Sequence, residues 1–319
     1  MISVIFDVLL FSIFLNGIHP YEAQQALKAK RFIKYDPDLL NLNDQFVHFW
    51  LYTQATPNIP KISTLEDPKL FGGLFNALKS TIILIPGFNN TPRHSDFFDT
   101  MKNAYIPAFD VNLITVFWDA AILQYPTARS KVPNVATIVD RFLKRMVREE
   151  SLNLATLTVV GHSLGAQIAG TAGRLFKGKL WTVVGLDPAS PLFKPGGPDT
   201  IDRRSAFFVQ IIHTCGTFEG MIDPVGDVDF YPNGGLPPQP GCENADNPTS
   251  CSHARAFELY AETVSNPVLY PATRCSSYSK YLQSGCSWNS KDFMGQNSSR
   301  RARGMYYLRT DSEPPYRAV

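Results

Sequence analysis

The chain has no hydrophobic run long enough to cross a membrane. Its N-terminal apolar stretch, VLLFSIFL from Val8 to Leu15, has eight residues, where a spanning helix needs about 20. Such a length fits the core of a secretory leader, expected over residues 1–23 with cleavage between Gly17 and Ala23. An excess of one charge is missing too. Lys plus Arg number 30 against 28 Asp plus Glu, a net charge of +2. No basic cluster is interleaved with aromatics, so nucleic acid is not an expected partner. Cysteines are few and none lie in C-x-x-C spacing, and of the four in local pairs only Cys251 has a histidine close by, His253. No metal site and no cofactor are therefore expected. Internal repeats, low-complexity tracts and an interdomain linker are all lacking, which leaves residues 24–319 as one domain.

The five cysteines that are present suit an oxidising compartment. Cys242 with Cys251, and Cys275 with Cys286, form two sequence-local pairs, each closing a short loop. Local pairing of this kind is how disulfides appear in exported proteins. Cys215 remains, either as a buried thiol or as a partner in another connectivity. Asn89 and Asn297 begin N-x-S/T sequons and are candidate glycosylation sites.

Apolar strands alternate with helical spacing along the chain. QFVHFWLYT (45–53), STIILIPGFNN (80–90), VNLITVFWD (111–119), LWTVVGLDPAS (180–190) and AFFVQIIHT (206–214) read as strands. Residues 134–150 carry Val135, Ile138, Val139, Phe142, Leu143, Met146 and Val147 at helical intervals, with Asn134 as the expected N-cap. After residue 215 Gly, Pro, Asn and Cys dominate, with one helix expected near 253–264 and a closing strand, GMYYLRT (304–310). This alternation predicts an α/β fold around a mostly parallel sheet flanked by helices.

The stretch LTVVGHSLGAQIAG (157–170) places a lone hydroxyl between two glycines where a buried strand should become a helix. A nucleophile elbow has this form: Ser163 would sit on a strained turn, with Gly161 and Gly165 giving the backbone room. G-x-S-x-G is weak alone, so its partners matter. A serine hydroxyl needs a base to take its proton, and the base needs an acid to orient it. In α/β-hydrolases these follow in the order Ser, acid, His. Asp187 ends the strand TVVGLD, and Pro188 stops it there. Order leaves His213 and His253 as bases. His213 closes an apolar run and reads as a packed histidine. His253 follows Cys251 and opens a helix, so a disulfide-anchored loop would aim it. For the oxyanion, the N–H groups of Leu164 and of Phe88, in the loop ILIPGFNN, are the expected donors.

With those residues in place the chain resembles the animal lipases of the pancreatic lipase family. GHSLGAQIAG, VGLDPASPLF, VQIIHT, VDFYPNGGLPPQPGC and CSHARAFELYAE match that family's landmarks in order over roughly residues 44–312. The resemblance implies an α/β-hydrolase fold with Ser163 as nucleophile, Asp187 as acid and His253 as base. It also implies that Phe88 and Leu164 supply the oxyanion donors. Pro86 stands where the family usually has His. Thr200 and Ser205 stand where Arg and Asp are usual in a calcium-binding segment, so despite Asp202 no calcium is expected. The C-terminal β-sandwich of true pancreatic lipases is not expected either.

In the family, the disulfide matching Cys242–Cys251 encloses a lid of some twenty residues in triglyceride lipases. Here the lid is residues 243–250, and the loop after His213 is also short. This pattern is similar to the phospholipase A1 branch, including insect and wasp-venom types. It implies a secreted enzyme acting on the sn-1 ester of phospholipids, with transient contact at a lipid surface. Two other readings are a lipase of triacylglycerol or neutral esters with the same triad, and a non-catalytic lipid-binding or yolk-type storage protein. Members of the last kind lose the nucleophile, which this chain keeps.

Overall fold

The computed structural model describes residues 47–91, 94–118 and 123–317. The leader expected over residues 1–23 lies outside them. A hairpin of β1 (His48–Thr53) and β2 (Thr56–Ser63) opens the described chain. Next come β3 (Thr81–Ile85), α1 (Asp96–Ala108), β4 (Asn112–Phe117), α2 (Tyr125–Glu149), β5 (Leu157–His162) and α3 (Leu164–Leu175). They are followed by β6 (Thr182–Leu186), β7 (Phe208–Ile212), β8 (Val228–Pro232) and α4 (Pro248–Ser265). The short elements β9 (Pro271–Arg274), α5 (Tyr278–Leu282) and β10 (Lys291–Phe293) precede β11 (Gly304–Leu308).

The strands form one sheet in the order β10-β9-β11-β8-β7-β6-β5-β3-β4-β1-β2. From β4 across to β11 every pairing is parallel, and only the strands outside those two are antiparallel. A parallel sheet needs both faces covered, and the strand sequences provide for it. Successive residues point to opposite faces, so Ile83, Ile85, Val159, Val183 and Val209 pack with α2 and α3 on one side. Ile82, Leu84, Val160, Val184 and Phe208 pack with α1 and α4 on the other. This is an α/β-hydrolase architecture. Ligands of such sheets bind beyond the carboxyl ends of the strands, where Ser163 and Asp187 follow β5 and β6.

Two expectations need correction, and one strand is added to them. The helix expected at 134–150 runs from Tyr125, with Pro126 in its first turn, Pro133 inside it and Asn134 in its interior rather than at the cap. Pro133 reads as a breaker, yet the helix continues through it because Ala128 and Val132 extend the same buried stripe as Val135 and Val139. The last long helix starts at Pro248, not near 253; Asn247 caps it by accepting the Ser250 N–H. Nothing in the sequence marks β2 as a strand. Its sequence TPNIPKIS carries two prolines, which suit only an edge, and an edge is where it lies.

Candidate active site

Ser163 stands between β5 and α3 with φ 56 and ψ −124. A non-glycine residue held there costs about 1–3 kcal/mol and persists only when its surroundings fix it. They do. Ser163 N–H donates to Leu186 O at 3.1 Å, and Ser163 O accepts from Ala189 N–H at 3.2 Å. The flanking glycines leave no alternative packing. A Cβ on Gly161 would lie 2.3 Å from Gly165 O, and one on Gly165 would lie 1.9 Å from Ile85 O. Among the described residues Ser163 Oγ makes no hydrogen bond, to His253 or to any other group.

Asp187 follows β6 with φ 42 and is fully buried. Its Oδ1 accepts from Thr214 N–H at 2.8 Å and Cys215 N–H at 3.1 Å. Its Oδ2 accepts from His253 Nδ1 at 2.6 Å. With Nδ1 donating, Nε2 keeps the lone pair that can take a proton from a hydroxyl. Burial works to lower the His253 pKa, but the Asp187 hydrogen bond and charge, with Glu219 beyond, raise it above the ordinary value. The His253 ring lies 4.5 Å from that of His162, the chain neighbour of Ser163. His162 Nε2 donates to His253 O at 3.0 Å. Burial and the nearby His253 hold the His162 pKa well below its usual range, so that ring stays neutral and acts as packing.

The loop after β3 folds onto the elbow. A Cβ on Gly87 would meet Ser163 Cβ at 2.6 Å. Pro86 O accepts from Trp118 Nε1 at 3.0 Å, and Asn90 Nδ2 donates to Phe88 O at 2.9 Å. The unusual proline thus sits in a loop tied on both sides. Among the described residues neither the Phe88 N–H nor the Leu164 N–H has a hydrogen-bond partner. Both remain available to an anion. The Phe88 ring packs edge-on against Tyr125, whose hydroxyl donates to Pro191 O at 3.1 Å, and Leu192 beside it is exposed.

Bonds join Cys242 to Cys251 and Cys275 to Cys286, and Cys215 is a buried free thiol whose ionisation burial pushes far up. Because α4 begins at Pro248, three of the eight residues inside the first bridge belong to its opening turn. His253 therefore lies one turn into a helix rather than at its start. Glu219 and Gly220 were not singled out from sequence. Glu219 Oε1 accepts from Ser250 Oγ at 2.7 Å, and Gly220 packs on the Asp187 carboxylate. Nothing in TCGTFEG marks either one. His213 lies apart from this group, paired with Asp229. Asp202, in the segment compared with a calcium site, is met by Arg174 and Arg204. Asn89 and Asn297 are both exposed.

The fold and the elbow serine define an α/β-hydrolase. The lipase family profile matches residues 19–316, and the chain belongs to that family, the pancreatic-type lipases. It is 34% identical to lipase member H of Rattus norvegicus over 75% of this chain and 53% of that protein. It is 31% identical to phospholipase A1 member A of Mus musculus (78% and 55%). It is 30% identical to pancreatic lipase-related protein 3 of Homo sapiens (89% and 66%). The chain spans between half and two thirds of the length of these relatives.

Proposed function

We propose that the chain is a secreted serine esterase of lipids that cleaves the sn-1 acyl ester of phospholipids. The observation that carries the chemistry is the 2.6 Å contact of His253 Nδ1 with buried Asp187 beside the strained Ser163. Ser163 Oγ attacks the ester carbonyl as His253 Nε2 takes its proton. The unpaired N–H groups of Phe88 and Leu164 receive the oxyanion. His253 then returns the proton to the departing glycerol oxygen, and water, activated by the same ring, hydrolyses the acyl-enzyme.

The phospholipid reading rests on the lid. With eight residues between its cysteines, three of them helical, the lid has little length with which to roof an apolar mouth. Space beside the ester is then left for a polar head group. One relative bears the name phospholipase A1. Export is supported by the two disulfides; among the described residues no helix is long and apolar enough to span a membrane. The test is product analysis on phosphatidylcholine with different sn-1 and sn-2 chains, alongside triolein and a Ser163→Ala control. Release of the sn-1 acid alone, lost in the control, is expected. Preference for triolein would replace the substrate, and activity in Ser163→Ala would remove the triad.

A further inference from the structure

A second histidine–aspartate pair stands apart from the first. His213 is the residue after β7 and is fully buried. Its backbone N–H donates to Phe230 O at 2.9 Å, and its ring stacks on Tyr231 at 4.4 Å. His213 Nδ1 donates to Met221 O at 2.7 Å, and Nε2 lies 2.9 Å from Asp229 Oδ1. Asp229 also accepts the N–H groups of Val225 and Gly226, each at 3.1 Å. Through its two nitrogens the ring thus bridges the Met221 carbonyl and the Asp229 carboxyl group.

That ring ties the two ends of one short segment together. Residue 213 begins it, and the Met221 carbonyl ends it. Between them stand the groups that hold Asp187: the Thr214 and Cys215 N–H donors on Oδ1, and Gly220 against the carboxylate. Met221 N–H in turn donates to Pro188 O, the residue after Asp187, at 2.8 Å. A hydrogen-bonded acid is useful only while its donors keep their places, and loops keep them poorly unless anchored.

We propose that His213, held by Asp229, is a positioning residue that sets the orientation of Asp187 by clamping the 214–221 segment. It touches neither substrate nor Ser163. The proposal rests on the triad reading and adds to it a residue acting only through Asp187.

A double-mutant cycle tests this in the full chain, with a short-chain p-nitrophenyl ester as probe so that lipid preference plays no part. His213→Gln should lower kcat about 10–100-fold, with KM moving less than about 3-fold. In an Asp187→Asn background the same substitution should cost less than about 3-fold, because the residue it orients no longer performs its role. A merely structural histidine would cost the same factor in both backgrounds, and that result overturns the proposal. If His213→Gln does not fold, Asp229→Asn is read in the same cycle with the same expectation. Additivity with an inactive Ser163→Ala defeats this proposal alone. An active Ser163→Ala defeats the triad and this proposal together.

Discussion

Gly220 lies so close to Asp187 that a Cβ on it would come within 2.2 Å of Oδ2 and 2.4 Å of Cγ. Nothing flexible can yield there, because the carboxylate is held by His253 and by two backbone N–H groups. Gly220→Ala should therefore displace the acid or its loop. We expect a fall in kcat on the order of 100-fold, as misplacing a group in an active site by about an ångström can cause. Circular dichroism and a melting curve should show a folded protein. Wild-type kcat in Gly220→Ala would mean that the acid does not need its present position.

Glu219 predicts a pH effect. In the proposed triad His253 must be neutral to accept the Ser163 proton, so activity should be lost as pH falls through its pKa. Against burial, Asp187 and Glu219 hold that pKa above the ordinary value. Removing the Glu219 charge takes away part of the upward pull. In Glu219→Gln the acid limb of kcat/KM should move to lower pH, and the variant should be relatively more active in mildly acidic buffer. A pH–rate profile in which the limb stays or moves upward would contradict this.

The two disulfides should separate stability from catalysis. Their spans of 9 and 11 residues are similar, so loop-closure entropy assigns each about 2–3 kcal/mol. Only Cys242–Cys251 is anchored in the helix that carries His253. Cys242→Ser with Cys251→Ser should lower both melting temperature and kcat. Cys275→Ser with Cys286→Ser should lower chiefly the melting temperature. Equal kcat losses from the two pairs would refute the distinction. Peptide mapping without reductant should leave Cys215 unlinked.

The lid makes a prediction about interfaces. A cover with so few residues between its cysteines cannot act as a large gate, so rates should rise smoothly as substrate passes its aggregation point. Inserting about twenty residues with an apolar inner face between Cys242 and Cys251 should shift preference toward triacylglycerol, by adding acyl contact and crowding the head-group side. A sharp interfacial jump in the unaltered protein, with triolein preferred, would sink the phospholipid assignment.

Much of this was legible in the residues before any fold was known. Strand alternation, the glycines around Ser163 and the proline after Asp187 are local signals, because each reports a conformation that its immediate neighbours require. The candidates Ser163, Asp187 and His253 follow from those signals and from chain order, and the pairs Cys242–Cys251 and Cys275–Cys286 from short spacing. The tertiary structure decided what depends on residues distant in sequence. Pro133 remains helical because a buried stripe continues across it, and β2 is a strand because an edge tolerates its prolines. In the sequence His213 reads as a packed histidine, and it is buried. Its partners, Met221 eight residues on and Asp229 sixteen residues on, meet it only when β7 and β8 pair in the sheet. Gly220 carries no motif at all. Its importance comes from a carboxylate 33 residues earlier in the chain, and only folding brings the two into contact.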